Sequence, residues 1–248
     1  MVEGAVVQHE LPDLLALLAE RFKGNPFFEN LYVWEHVVYS LFIMAVISAI
    51  AFYGARKNSL IPGRLQNAVE VLAGGLDDFV CGILGPKGRK YTPFIGTLFI
   101  YILFMNLSGL VPFLKPSTSS WSTTLALALC VFFYVQYSAL KELGVRGYLD
   151  HLAGRPRGAI AFSIVIPLLM FFLHLAGELI KPLSLSLRLR SNIWGDDVLL
   201  SVLTNFGMKG FPLLFFNMFS SLLAAVVQAV VFCLLSTIYF AVVLTHEE

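Results

Sequence analysis

Apolar residues in this chain come in blocks of membrane-spanning length, and most charged residues gather where the blocks end. Five stretches are long and apolar enough to be membrane-embedded helices: about 34–54, 91–114, 116–140, 159–195 and 198–245. Trp34 and Tyr53 bracket the first, where interfacial aromatics belong. Only Lys115 separates the second from the third, so these two are expected to form an antiparallel hairpin. The last two exceed the roughly twenty residues that cross a bilayer at ~1.5 Å per residue, so long, strongly tilted helices are the natural solution. Gly207, Gly210 and Pro212 mark a break there, and the pattern alone admits either two long helices or three shorter ones. Residues 64–84 are only moderately apolar, with Glu70, Asp77 and Asp78 interspersed, and predict a helix lying at the interface. Before all this, residues 1–30 form a polar arm, in which Leu14, Leu15, Leu17 and Leu18 after Pro12-Asp13 predict a short amphipathic surface helix. The remainder, 31–248, reads as a single membrane domain.

Composition agrees with that picture. Of 248 residues, 58% are hydrophobic and 13% charged, and mean hydropathy is +0.79; soluble chains carry about 25% charged residues. The fold class is therefore all-α and polytopic, embedded in a lipid bilayer, and nothing suggests nucleic acid as a partner. Cys81, Cys130 and Cys233 are isolated and apolar in context, which fits small core residues rather than a disulfide framework or a metal site. No signal-peptide pattern opens the chain.

Net charge says little here, whereas its distribution says much. The basic residues fall in 55–64 (Arg56, Lys57, Arg64), 87–90 (Lys87, Arg89, Lys90) and 141–157 (Lys141, Arg146, Arg155, Arg157). Basic loops stay on the cytoplasmic side. These three segments are then cytoplasmic, the N-terminus and the turn at 113–122 lie outside, and the C-terminus lies inside.

The fourth block is unusual because polar groups interrupt it. His174, Glu178 and Lys181 follow at spacings of four and three, so they share a helix face with each other and with Ser184 and Arg188. Asn192 continues that stripe, Arg190 points about 200° away from Arg188, and Asp197 lies opposite Arg188 and about 13 Å further along. Gln228 stands in the last block among small and apolar neighbours. Bland readings exist for each. Arg188 and Arg190 could be topogenic charges with Asp196 and Asp197 as solvated partners. Gln228 could join two helices by a hydrogen bond, and His174 with Glu178 could be a simple i,i+4 pair. None explains a long one-sided polar stripe on an otherwise apolar helix, which is how ion pathways through membranes are built. No spacing for a hydrolase, a metal or a cofactor occurs at spanning depth.

Two motifs carry a family resemblance. Lys181-Pro182-Leu183-Ser184-Leu185-Ser186-Leu187-Arg188-Leu189, with Asn192 beyond it, resembles the signature of the a subunit of F-type ATP synthases. Tyr91-Thr92-Pro93-Phe94 through Asn106-Leu107-Ser108-Gly109-Leu110-Val111-Pro112 resembles another helix of that family, and Gln228 and Thr237-Ile238-Tyr239 fit as well. The resemblance implies a stationary subunit that carries protons past a rotating ring of c subunits, held by peripheral-stalk b subunits and linked indirectly to the F1 head. It implies no enzyme activity of its own, no cofactor, and residence in a bacterial plasma membrane. Residue by residue, Arg188 matches the essential stator arginine, while Asn192, Asp197 and Gln228 match polar positions lining two aqueous half-channels. Ser221 stands where some relatives have His and His174 where some have Glu. With Glu178, His174 is expected in the outer channel, and Ser184 belongs to the same polar face. The chain departs from the pattern at Arg190-Ser191, where Phe-Gly is usual, and at Ile193-Trp194-Gly195-Asp196, which is bulkier and more acidic. The outside loop, Pro116 to Trp121, lacks the Asp and Asn often found there. A sodium-translocating form of the same subunit is the nearest alternative; a secondary transporter would more often show internal repeats, and none is present.

Overall fold

The structure, a computed structural model, describes residues 34–55, 63–111, 116–152, 162–204, 206 and 210–244. Among them are six α-helices and no strand: α1 (Glu35–Ala55), α2 (Arg64–Leu84), α3 (Thr92–Ser108), α4 (Trp121–Leu152), α5 (Phe162–Thr204) and α6 (Phe211–Leu244). Short 3-10 turns, Pro86–Lys90 and Ser117–Ser119, precede α3 and α4. The polar arm with its expected surface helix, and the basic residues Arg56, Lys57, Arg155 and Arg157, lie outside the described residues.

Four of these helices contain apolar segments long enough to cross a membrane: Glu35–Gly54, Trp121–Glu142, Leu169–Thr204 and Phe211–Val243. The apolar Thr92–Ser108 is shorter, and at about 25 Å it is near the lower limit for a span. The all-α membrane architecture is as the sequence predicts. α5 is one unbroken helix of 43 residues. Of the two patterns left open by the sequence, two long helices are found. Their lengths, about 64 Å and 51 Å, exceed a ~30 Å hydrocarbon core, so they must tilt.

Two differences from the sequence expectation have clear causes. The break between the long helices falls after Thr204 and before Phe211, in the stretch that Gly207, Gly210 and Pro212 mark, so α5 runs on past the span limit expected at 195. Acidic residues at 196–197 are compatible with a helix interior, whereas the Gly210-Phe211-Pro212 stretch holds the residues that end one helix and start another. A Cβ on Gly210 would come within 2.8 Å of the Leu203 carbonyl oxygen, so only glycine permits this approach. The second difference concerns α3 and α4. They run antiparallel, but α3 packs chiefly on α6, while α4 packs on α5 and α6. Phe240 of α6 fills the space between Tyr91 and Tyr134, with centroid distances of 4.7 and 5.7 Å. The core is the shared seam of α3, α4, α5 and α6, formed by Ile95, Ile102, Val131, Leu185, Leu189 and Phe232. Within it Cys233 is buried, whereas Cys130 lies on an exposed face and Cys81 is half-buried.

Polar contacts at the two ends fix the register. At one end Lys90 Nζ bonds Glu142 Oε1 at 2.5 Å and Tyr91 Oη donates to the same oxygen at 2.7 Å. The Glu142 carboxylate beside it pushes the Lys90 ammonium above the usual lysine range. Asp77 accepts from Thr92 Oγ1 at 2.8 Å and pairs with Arg89 at 3.3 Å, tying α2 to the start of α3. At the other end Ser117 Oγ donates to the His36 carbonyl, and Thr118 Oγ1 donates to Asn106 Oδ1 at 3.3 Å. α4 turns sharply at Gly144, whose φ of 70° is a left-handed value that a side chain would resist.

Candidate functional site

Because α5 is continuous, the spacings read from the sequence become positions on one rod. Its buried stripe is narrow: Pro182, Leu185, Ser186, Leu189 and Ile193 face α4 and α6. Arg188 lies beside this stripe on the exposed side, next to exposed Leu187 and Ser191. It has no ion-pair partner among the described residues, though its charge acts on the Tyr239 hydroxyl of α6. A permanently charged guanidinium left unpaired on an apolar helix is costly in a bilayer unless a partner or water meets it.

One turn beyond Arg188, Asn192 Nδ2 donates to Gln228 Oε1 at 2.8 Å, joining α5 to α6. The sequence suggested both residues separately, and the structure brings them together. Asn192 is exposed while Gln228 is 4% exposed, so the bond leads from the open face of α5 into the helix seam. One turn further still, half-buried Asp196 has Ser221 of α6 near its carboxylate. Asn217, Ser221 and Gln228 are spaced by four and seven, which puts them on one face of α6. Two amide atoms there, Asn217 Oδ1 and Gln228 Nε2, are buried with no protein partner. Such groups are rare in close-packed structure and call for water or a ligand.

On the other side of Arg188, Glu178 accepts from Gln136 Nε2 at 2.8 Å and from Lys181. The Lys181 ammonium also lies 5.3 Å from the Tyr239 ring centroid. A small cavity lined by Glu178, Lys181 and Tyr239 opens beside them, between α4, α5 and α6. His174 is exposed one turn away, with Nδ1 at 3.0 Å from the Met170 carbonyl, and Ser184 is half-buried on the same flank. Arg190 lies over the Trp121 ring at 5.3 Å, whereas Glu178 meets Gln136, so α4 and α5 run antiparallel. Glu178 and His174 therefore stand on the Glu142 side of Arg188, and Asp196 and Asp197 on the opposite one.

Arg190 faces away from Arg188, as its phase requires, and Asp197 is exposed on the flank that Arg190 occupies. Sequence reasoning missed three participants. Gln136 was visible as the one amide in 116–140; Asn217 had a comparable signal in the last block. Asp196 was passed over as a solvated neighbour of Asp197, since the phase toward α6 cannot be read before α6 is placed. Among the described residues no group of three or more His, Cys, Asp or Glu could hold a metal.

The family model described as ATP synthase A chain matches residues 37–241. The chain is similar to the ATP synthase subunit a of Protochlamydia amoebophila, at 38% identity over 96% of this chain and 90% of that protein. The subunit a of Oleidesulfovibrio alaskensis is 38% identical over 87% of this chain and 88% of its own length. That of Sulfurihydrogenibium sp. is 35% identical over 86% and 99%.

Proposed function

The chain belongs to the ATP synthase A chain family, and from that premise we propose that it is the proton-conducting stator of the Fo sector, with Arg188 separating two pathways. As a subunit a it is an integral membrane part of Fo, not the catalytic head. The observation that carries the proposal is the solitary Arg188, exposed and unpaired on the apolar α5 while polar groups extend from it in both directions.

Arginine suits this position because its pKa is above ~12, so it stays cationic where a lysine would lose its proton. A carboxylate on a passing c subunit that comes within about 4–6 Å of it is favoured in its ionised form. Its proton must leave on one side before another arrives from the other. The same fixed positive charge keeps protons from crossing directly between the pathways. Asn192, Gln228, Ser221 and Asp197 line the pathway on one side of Arg188; Ser184, Glu178 and His174 line the other. A potential of 100 mV contributes about 2.3 kcal/mol for each charge carried. The exposed apolar face of α5, including Leu179, Leu183 and Leu187, is the surface offered to the c ring. Peripheral-stalk b subunits hold the chain still, and the F1 head is reached only through them and the rotor. The transported ion is the proton, and the membrane is the bacterial plasma membrane.

ATP-driven acidification of inverted membrane vesicles tests the reading. Arg188→Ala should abolish coupled pumping while the complex still assembles. Pumping at the wild-type rate would remove Arg188 from the central role. A rate that rises with sodium at constant pH would instead indicate a sodium pathway.

A further inference from the structure

Seven residues before Arg188, α5 carries a second cation to which neither the resemblance nor the stator reading gives a role. Two helical turns separate Lys181 from Arg188 and their phases differ by only about 20°, so they leave nearly the same side of the helix, roughly 10 Å apart. Their surroundings nevertheless differ. Arg188 is exposed, with no ion-pair partner among the described residues. Lys181 is half-buried, its side chain 24% exposed. Its ammonium pairs with Glu178 Oε1 one turn back on α5 and lies 5.3 Å from the centroid of the Tyr239 ring of α6. The other oxygen of that carboxylate, Oε2, accepts from Gln136 Nε2 of α4 at 2.8 Å. Each oxygen of Glu178 thus has its own donor. These contacts hold the lysine toward α4 and α6, away from the apolar face of Leu179, Leu183 and Leu187 that α5 leaves exposed.

We propose that Glu178 is a fixed counter-charge and not a proton carrier: oriented by Gln136, it neutralises Lys181 so that Arg188 alone confronts the rotor. Glu178 is then a positioning residue, acting through Lys181 and not on the ion itself. The inference rests on the stator reading given above and specifies how its barrier is confined to one place. A cation within about 4–6 Å of a carboxylate favours its ionised form. An uncovered Lys181 would repeat the action of Arg188 two turns along the helix. A rotor carboxylate that had passed Arg188 would meet a second cation where it has to exchange its proton. With Glu178 in contact, the two opposite charges largely cancel for any group further away than their own separation. Gln136 is neutral, so it fixes the carboxylate on Lys181 without disturbing that balance.

ATP-driven pumping in inverted vesicles, normalised to the amount of assembled chain, tests this with two double variants that both lack the carboxylate. Glu178→Gln with Lys181→Arg leaves a permanent cation uncovered, and pumping should fall at least about tenfold. Glu178→Gln with Lys181→Gln leaves no charge at either position and strands neither partner. Pumping should recover there to within about threefold of wild type. A proton carrier at Glu178 would be missing from both variants alike, so equal loss in the two overturns the inference. Wild-type pumping in the arginine variant overturns it as well, because an uncovered cation is then harmless. If the arginine variant fails to assemble, the neutral one decides: recovery supports the counter-charge and loss overturns it. Arg188→Ala, run alongside, separates the two levels. Normal pumping there defeats the stator reading, whereas loss in the neutral double variant defeats only the counter-charge.

Discussion

Single side chains on α5 differ in what they are asked to do, and substitutions should separate them. Arg188→Lys preserves charge in water but not in a low-dielectric site, where a lysine can deprotonate. ATP-driven pumping should be lost in it almost as completely as in Arg188→Ala, and ATP synthesis at the wild-type rate would refute the need for a permanent cation. Arg190→Phe removes a cation–π contact worth about 0.5–1 kcal/mol, yet a phenyl ring can still stack on Trp121. Pumping should stay within about twofold of wild type, the range expected for so small a loss. Around Glu178 the prediction concerns stability. Lys181→Met strands a carboxylate whose side chain is 14% exposed, which should destabilise by about 3–5 kcal/mol. Gln136→Leu leaves the ion pair in place and should cost about 1–3 kcal/mol. Thermal unfolding in mild detergent should rank them in that order. At this scale the sequence was informative where chemistry is local: Arg188, Asn192 and Gln228 each stood out as polar groups in apolar surroundings. It was silent on the pairing of Asn192 with Gln228 and on the nearness of Ser221 to Asp196, because both depend on how α6 is set against α5.

Among the elements, α2 could be read best, since its bounds at Arg64 and Leu84 follow from a basic start and a Gly-Pro end. The boundary between α5 and α6 was harder. The paired aspartates at 196–197 resemble a loop by hydropathy, but inside the helix Asp196 is half-buried and Asp197 is exposed on the Arg190 flank. What ends α5 is backbone chemistry at Gly210 and Pro212, where the chain reverses close to the Leu203 carbonyl. Gly210→Val tests this. With a Cβ placed 2.8 Å from a backbone oxygen, the turn must open, at about 1–3 kcal/mol for overpacking. Membrane abundance and thermal stability should fall, and coupled pumping should fall with them, because the register of Asn192 against Gln228 depends on that turn. A variant of undiminished stability would show that the turn has room the close approach denies. The antiparallel course of α3 and α4 follows from their adjacency in sequence, but their main packing partners do not. Phe94 stacks on Tyr134 at 4.2 Å, and the aromatic face of α6, through Phe240, meets both helices.

For the whole molecule, the decisive question is which end of the α5–α6 seam faces which compartment. The basic residues Lys87, Arg89 and Lys90 lie at the same end of the bundle as Glu142, and the Lys90–Glu142 pair binds that end together. Lys/Arg excess near span ends fixes orientation, with each basic residue near an anionic surface contributing about 1 kcal/mol. We propose on that ground that this end is cytoplasmic, an orientation that would put Glu178 and His174 in the cytoplasmic pathway and Asn192, Gln228, Ser221 and Asn217 in the outer one. It would also put the end of α6 at Leu244 inside and the start of α1 outside. Fusion of a fluorescent protein that folds only in the cytoplasm to the C-terminus should fluoresce, and an alkaline phosphatase fused there should stay inactive. The reverse result would invert the assignment of both pathways while leaving Arg188 between them. A membrane-impermeant maleimide gives an independent reading at single-residue resolution, after the native cysteines are replaced. Asn217→Cys, buried on the α6 face that carries Ser221 and Gln228, should react from outside where water fills the pathway, and be protected by prior reaction with a small permeant thiol reagent. A cysteine replacing His174 should react only from the cytoplasmic side. If both react from one side, the two polar tracts belong to one continuous space, and a fixed charge at Arg188 could not by itself couple ion flow to rotation.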